Sequence, residues 1–169
     1  MTNPFSVRTV STLFTLVATA GCTANAQQAG DFTMTVTAPT GAPAQLTGFA
    51  PSFSSDRMGQ WYVQLVTPGG QSSLMLLYAG AGRPATGTYR IVDVIANDGK
   101  APAGEFVALG NVDPAVLSVQ GLGSLDGTIT ITSSSSTSVA GTFTYRAGVA
   151  GRATGVTITG QFRSRNKEQ

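Results

Sequence analysis

The most constraining feature of this chain is a period-two alternation of polar residues, mostly threonine, with apolar ones, repeated along its length. DFTMTVT places Phe32, Met34 and Val36 on one phase and Thr33, Thr35 and Thr37 on the other. QWYVQLV separates Trp61, Val63 and Leu65 from Gln60, Tyr62 and Gln64, and TYRI places Tyr89 and Ile91 opposite Arg90. GTITIT sets Ile129 and Ile131 against threonines, GTFTYR contributes Phe143 and Tyr145, and GVTITGQFR contributes Val156, Ile158 and Phe162. Successive side chains of a strand point to opposite faces, so each segment predicts a strand with one face in a core and one in water.

SLMLLY (73–78) is apolar on both phases and predicts a strand covered on both sides; GEFVALG (104–110) is similar. AVLSVQ (115–120) is a weaker strand candidate, where Asp113-Pro114 could instead open a single helical turn. Turn signals lie between the strands at Pro68-Gly69-Gly70, Ala79 to Pro84, Asn97-Asp98-Gly99, Gly121-Leu122-Gly123 and Ser133 to Ser138. No segment carries a helical apolar stripe. About nine short strands without crossover helices predict an all-β fold, an antiparallel β-sandwich, with a closed antiparallel β-barrel as the alternative. The inward residues named above, with Leu74 and Leu76, form the predicted core.

The N-terminal segment reads as an export signal. Arg8 is followed by TVSTLFTLVATA, an uncharged run closing on small residues and too short for a membrane span of roughly 20 residues. Two processing routes compete. Thr19-Ala20-Gly21-Cys22 fits cleavage after Gly21 with lipid attached to Cys22, although Thr19 stands where leucine is usual. Ala24-Asn25-Ala26 fits ordinary cleavage after Ala26. The position of the only cysteine, where the apolar run ends, favours a lipoprotein tethered through Cys22; the alternative is a soluble periplasmic or secreted protein. The expected organisation is a signal over 1–26, a linker over 27–31, a β-domain over 32–163 and a polar tail over 164–169.

Composition excludes several chemistries. Histidine is absent, which removes the usual base of hydrolytic triads and the commonest zinc ligand, and Cys22 is lost with, or used by, the signal. No disulfide can form within the chain. Without Arg8 the nine remaining Lys and Arg face eight Asp and Glu, and no basic cluster points to nucleic acid. The glycines lie in strand turns with no following helix, so no phosphate-binding loop is expected. No catalytic residue, metal or cofactor is assigned.

The C-terminal half, from LDGTITIT through GTFTYRA to GVTITGQFRSR, resembles a module of exported bacterial proteins, many of them lipoproteins. The resemblance spans roughly residues 123 to 163. It implies a β-sandwich in the cell envelope and carries no catalytic residues.

What remains are candidate binding groups. Tyr62 falls on the outward phase between Gln60 and Gln64, an arrangement by which a sheet face can hold a sugar ring. Asp93 falls on the phase of Tyr89 and Ile91, so it needs a partner, a strand end or a ligand. Arg90, Arg146 and Arg163 each follow an inward aromatic or lie beside one, and side by side they would make an anion-binding stripe. Asp31, Asp56, Asp93, Asp98, Glu105, Asp113, Asp126 and Glu168 are the carboxylates from which a glycan-cleaving pair would have to come, Asp98 and Asp126 reading as turn residues. Asp93, Asn97, Asp98 and Glu105 do not follow the order of a helix-loop-helix calcium site. The expectation is a non-enzymatic envelope module, binding or structural, whose partner is an envelope protein or a glycan; a carbohydrate-binding domain or carboxylate-based glycan-acting enzyme is the alternative.

Overall fold

The computed structural model describes residues 30–55, 59–80 and 82–166. They form ten strands: β1 (Gly30–Thr37), β2 (Ala44–Gly48), β3 (Pro51–Ser55), β4 (Gln60–Val66), β5 (Ser73–Ala79), β6 (Gly87–Ile91), β7 (Phe106–Asn111), β8 (Leu122–Ser134), β9 (Ser138–Val149) and β10 (Arg152–Asn166). There is no helix among the described residues. All ten strands belong to one mixed, mostly antiparallel sheet in the order β2-β1-β10-β3-β4-β5-β7-β6-β8-β9. A further β10–β9 pairing carries the hydrogen bonding round a ring of eight strands.

The long ladders divide the strands into two groups. β2, β1, β10, β9, β8 and β6 make one, and β3, β4, β5 and β7 the other. Between the groups lie short seams: Arg165 and Asn166 of β10 run parallel to Pro51 and Ser52, Ile91 pairs Phe106, and β7 meets β8 at Leu109↔Gly123 and Gly110↔Leu122. The inner faces of both groups meet in one core. Every predicted inward residue is buried except Tyr89, which is half-buried because its hydroxyl reaches the rim and donates to the Ala85 carbonyl at 2.8 Å. Gly160 takes the inward phase between Ile158 and Phe162 because the Phe143 ring lies over it: a Cβ there would stand 2.7 Å from that ring.

The two doubly apolar runs have a second cover. Leu77 of β5 and Val107 of β7 point away from the main core and are buried by Val92, Val94 and Ala101 of the connection between β6 and β7. A loop, folded back over the sheet, does what a second layer would otherwise do.

Several local expectations are corrected. β2 and β3 were hidden, one because Leu46 is its only large apolar residue and the other because it starts at Pro51. AVLSVQ is no strand: the Val116 and Leu117 N–H groups donate to the Asp113 carbonyl at 2.8 and 2.9 Å, and the Asp113 carboxylate accepts from Ala115 N–H at 2.9 Å, so the helical-turn alternative is the one observed. Asn97-Asp98-Gly99 is a turn, as expected, but it joins no hairpin, since β6 and the next strand, β7, pair in parallel. Asp98 (φ 52°) and Gly99 (φ 75°) end a helix-like turn instead, with Gly99 N–H donating to the Val94 carbonyl at 2.7 Å. Leu122, Gly123 and Asp126 belong to β8 rather than to turns. Asp31 and Ser164, placed in the expected linker and tail, are strand residues, and buried Ser164 donates to the Val139 carbonyl at 2.9 Å.

Candidate functional site

Outward threonines of the six-stranded group fall into register across it. Thr88, Thr130, Thr142, Gln161, Thr33 and Thr47 form one row over β6, β8, β9, β10, β1 and β2. Arg90, Thr128, Thr144, Thr159, Thr35 and Gln45 form the next. Pleating fixes the spacings, about 4.8 Å between strands and about 6.8 Å between rows. On the other side of the first row, Asp31, Arg163 and Ala140 make a shorter row on β1, β10 and β9.

Between the first row and this shorter one runs a groove of about 500 Å³ across β1, β10, β9 and β8. Its floor is backbone, because Phe32, Phe162 and Gly141 stand in register with their side chains, or lack of one, turned inward. Thr33, Gln161 and Thr142 form one wall. Asp31 and Arg163 stand on the other, and the small Ala140 keeps the trough open toward Thr132, an extra residue at a bulge in β8 whose hydroxyl donates to the Ala140 carbonyl at 3.2 Å. The side chains of Asp31, Thr33, Thr142, Gln161 and Arg163 make no hydrogen bond or ion pair with another described residue. One positive and one negative group therefore face the groove, with hydroxyls and an amide between them.

The other expected binding groups lie away from the groove, and Tyr62, Gln64 and Asp93 have partners there. Tyr62 stacks on Phe53 of β3, ring centroids 5.1 Å apart, and its base packs on the second apolar cluster, while Gln64 donates to the Ser73 hydroxyl at 3.0 Å. Gln60 is half-buried at the start of β4. Tyr62 thus shares one ring face with Phe53 and is half-buried. Asp93 lies beyond the end of β6, where its carboxylate accepts from Ile95 N–H (2.8 Å) and Ala96 N–H (3.1 Å), and its carbonyl accepts from the Asn97 amide (2.7 Å). It starts a turn, which explains a carboxylate on the inward phase.

The three arginines are exposed but form no stripe. Arg90 donates to Glu105 at 3.0 Å and Arg146 is paired with Asp126. Arg146 sits opposite Thr157, six residues along β10 from Arg163 and hence about 20 Å away. Only Arg163 faces the groove. Of the described carboxylates Asp31 alone lines it. Gly21, Cys22, Ala26, Asp56 and Glu168 lie outside the described residues.

Thr33, Thr132, Thr142 and Gln161 escaped the sequence reading as site residues. Their signal was the Thr-x-Thr pattern itself, which marks a solvent face on every strand and gives no register between strands. No family model, curated protein or solved structure matches the chain.

Proposed function

We propose that the chain is an exported, non-enzymatic binding module of the cell envelope, and that the groove across β1, β10, β9 and β8 is its ligand surface. Export, with lipid on Cys22, rests on the order of charged, apolar and small residues over 1–26 and on the likeness of the C-terminal half to exported modules. The observation that carries the binding reading is the groove: five polar side chains converge on one trough, and among the described residues none of them has a hydrogen-bond or ion-pair partner. A glycan-cleaving reading is less well supported, because such chemistry needs two carboxylates facing each other and, among the described residues, Asp31 stands in the groove without a second.

Thermal-shift titration of the protein against oligosaccharides, calcium and inorganic anions tests the reading. Ala140→Trp fills the trough from a position that points outward. At least one probe should raise the melting temperature of the parent, and Ala140→Trp should melt as the parent does while losing that response. A flat response throughout overturns the binding reading in favour of a structural component.

A further inference from the structure

We infer that the groove takes a stretch of neutral, polyhydroxylated chain, an uncharged glycan, lying across the strands with Asp31 and Arg163 gripping hydroxyls at one end. This rests on the groove being a ligand surface. Three observations select the ligand class.

The first is charge. The groove presents one carboxylate and one guanidinium on adjacent strands, directly opposite in register, and neither is engaged by a described residue. An anion drawn to Arg163 would meet Asp31 within a strand spacing, and a cation drawn to Asp31 would meet Arg163. An uncharged hydroxyl satisfies both, donating to the carboxylate and accepting from the guanidinium.

The second is the wall of Thr33, Gln161 and Thr142, whose hydroxyls and amide each donate and accept. A ligand of one hydrogen-bonding sense would leave half of these groups unpaired. Sugar hydroxyls have both senses.

The third is shape and place. The trough spans four strands, about 14 Å from β1 to β8. It lies on a sheet face, where backbone N–H and C=O groups are already used in the ladders, so an extended peptide gains none of the main-chain bonds it would gain at an edge. Among the described residues the walls carry no exposed aromatic ring, and hydrogen bonding is the recognition that remains.

Isothermal titration with neutral tri- to hexasaccharides of glucose, xylose and N-acetylglucosamine, beside uronate and sulfated oligomers of the same length, tests the inference. At least one neutral series should bind, with little dependence on salt. Arg163→Ala and Asp31→Asn should each weaken it roughly ten- to a hundredfold without moving the melt. Tighter, salt-sensitive binding of the acidic oligomers overturns the neutral class. So does Ala140→Trp-sensitive binding of calcium or an inorganic anion with no response to any sugar; both leave the binding module standing. Absence of any binding sensitive to Ala140→Trp overturns the module reading as well.

Discussion

Asp126 and Arg146 face each other across the β8–β9 ladder, and the guanidinium donates to both carboxylate oxygens, through Nε at 2.8 Å and through Nη2. The hydrogen bond from Arg146 holds the Asp126 carboxyl below its ordinary value of 3.8. A depressed carboxylate pKa contributes stability above the unfolded value, and that contribution is lost as pH falls below 3.8 through the folded value. Both side chains are exposed, so the contribution is screened and small. NMR titration should place the Asp126 carboxyl below 3.8 in the parent and return it to about that value in Arg146→Ala; identical curves would mean that the pair does not form in solution.

Ser124 ties three chain segments together inside the fold. Its hydroxyl donates to the Val92 carbonyl at 2.6 Å and accepts from the Ala108 N–H at 3.0 Å, all three residues being buried. Ser124→Ala leaves a buried donor and a buried acceptor unpaired, at a cost of about 1–3 kcal/mol. Because the Val92 bond holds the covering connection over β5 and β7, amide exchange should quicken first in Val92 and Val94. A loss within about 0.5 kcal/mol in denaturant melts, the range of surface substitutions, would rule out that role.

The same neighbourhood explains where the sequence became unreadable. Odd residues Gly127, Ile129 and Ile131 face inward in β8, but Leu125 is an extra residue at a bulge, and beyond it the inward parity passes to Ser124 and Leu122. Alternation vanishes at such a shift, so Gly121-Leu122-Gly123 looked like a turn and Asp126 like its neighbour. The strands with intact alternation, from Phe32 to Val36 and from Phe143 to Tyr145, were legible to the residue. The groove was not, because it exists only once Asp31, Arg163 and Ala140 are brought side by side by pairings that no local pattern encodes.

Adjacent positions on β9 give a direct test of the assigned phase. Phe143 is buried against Tyr145 and Phe162, whereas Thr144 is exposed. Phe143→Ala should cost about 3–5 kcal/mol, as should truncation of fully buried Trp61 on the opposite group of strands. Thr144→Ala should change stability by no more than about 0.5 kcal/mol. Urea melts that reverse the order of Phe143→Ala and Thr144→Ala would displace the whole β9 register by one residue.

Tyr145 is buried to 2 % exposure, and its hydroxyl has no hydrogen-bond partner among the described residues, a condition shared by the Trp61 indole N–H. An unpaired buried hydroxyl carries a desolvation cost that its removal abolishes, so Tyr145→Phe should be neutral or stabilising by up to about 1 kcal/mol. Burial also pushes the Tyr145 phenol far above its ordinary value of 10.0. The unfolded chain then loses a proton near pH 10.0 that the folded protein keeps, so stability is full below that value and falls as pH rises beyond it. One such group lowers stability by about 1.4 kcal/mol per pH unit. Tyr78, raised by burial and by Tyr89, adds a second, smaller source of alkaline sensitivity. Melts followed from about pH 8 to about pH 11 should therefore show a steep alkaline loss in the parent and a shallower one in Tyr145→Phe. Parallel profiles would mean that the phenol is paired or reaches water in solution.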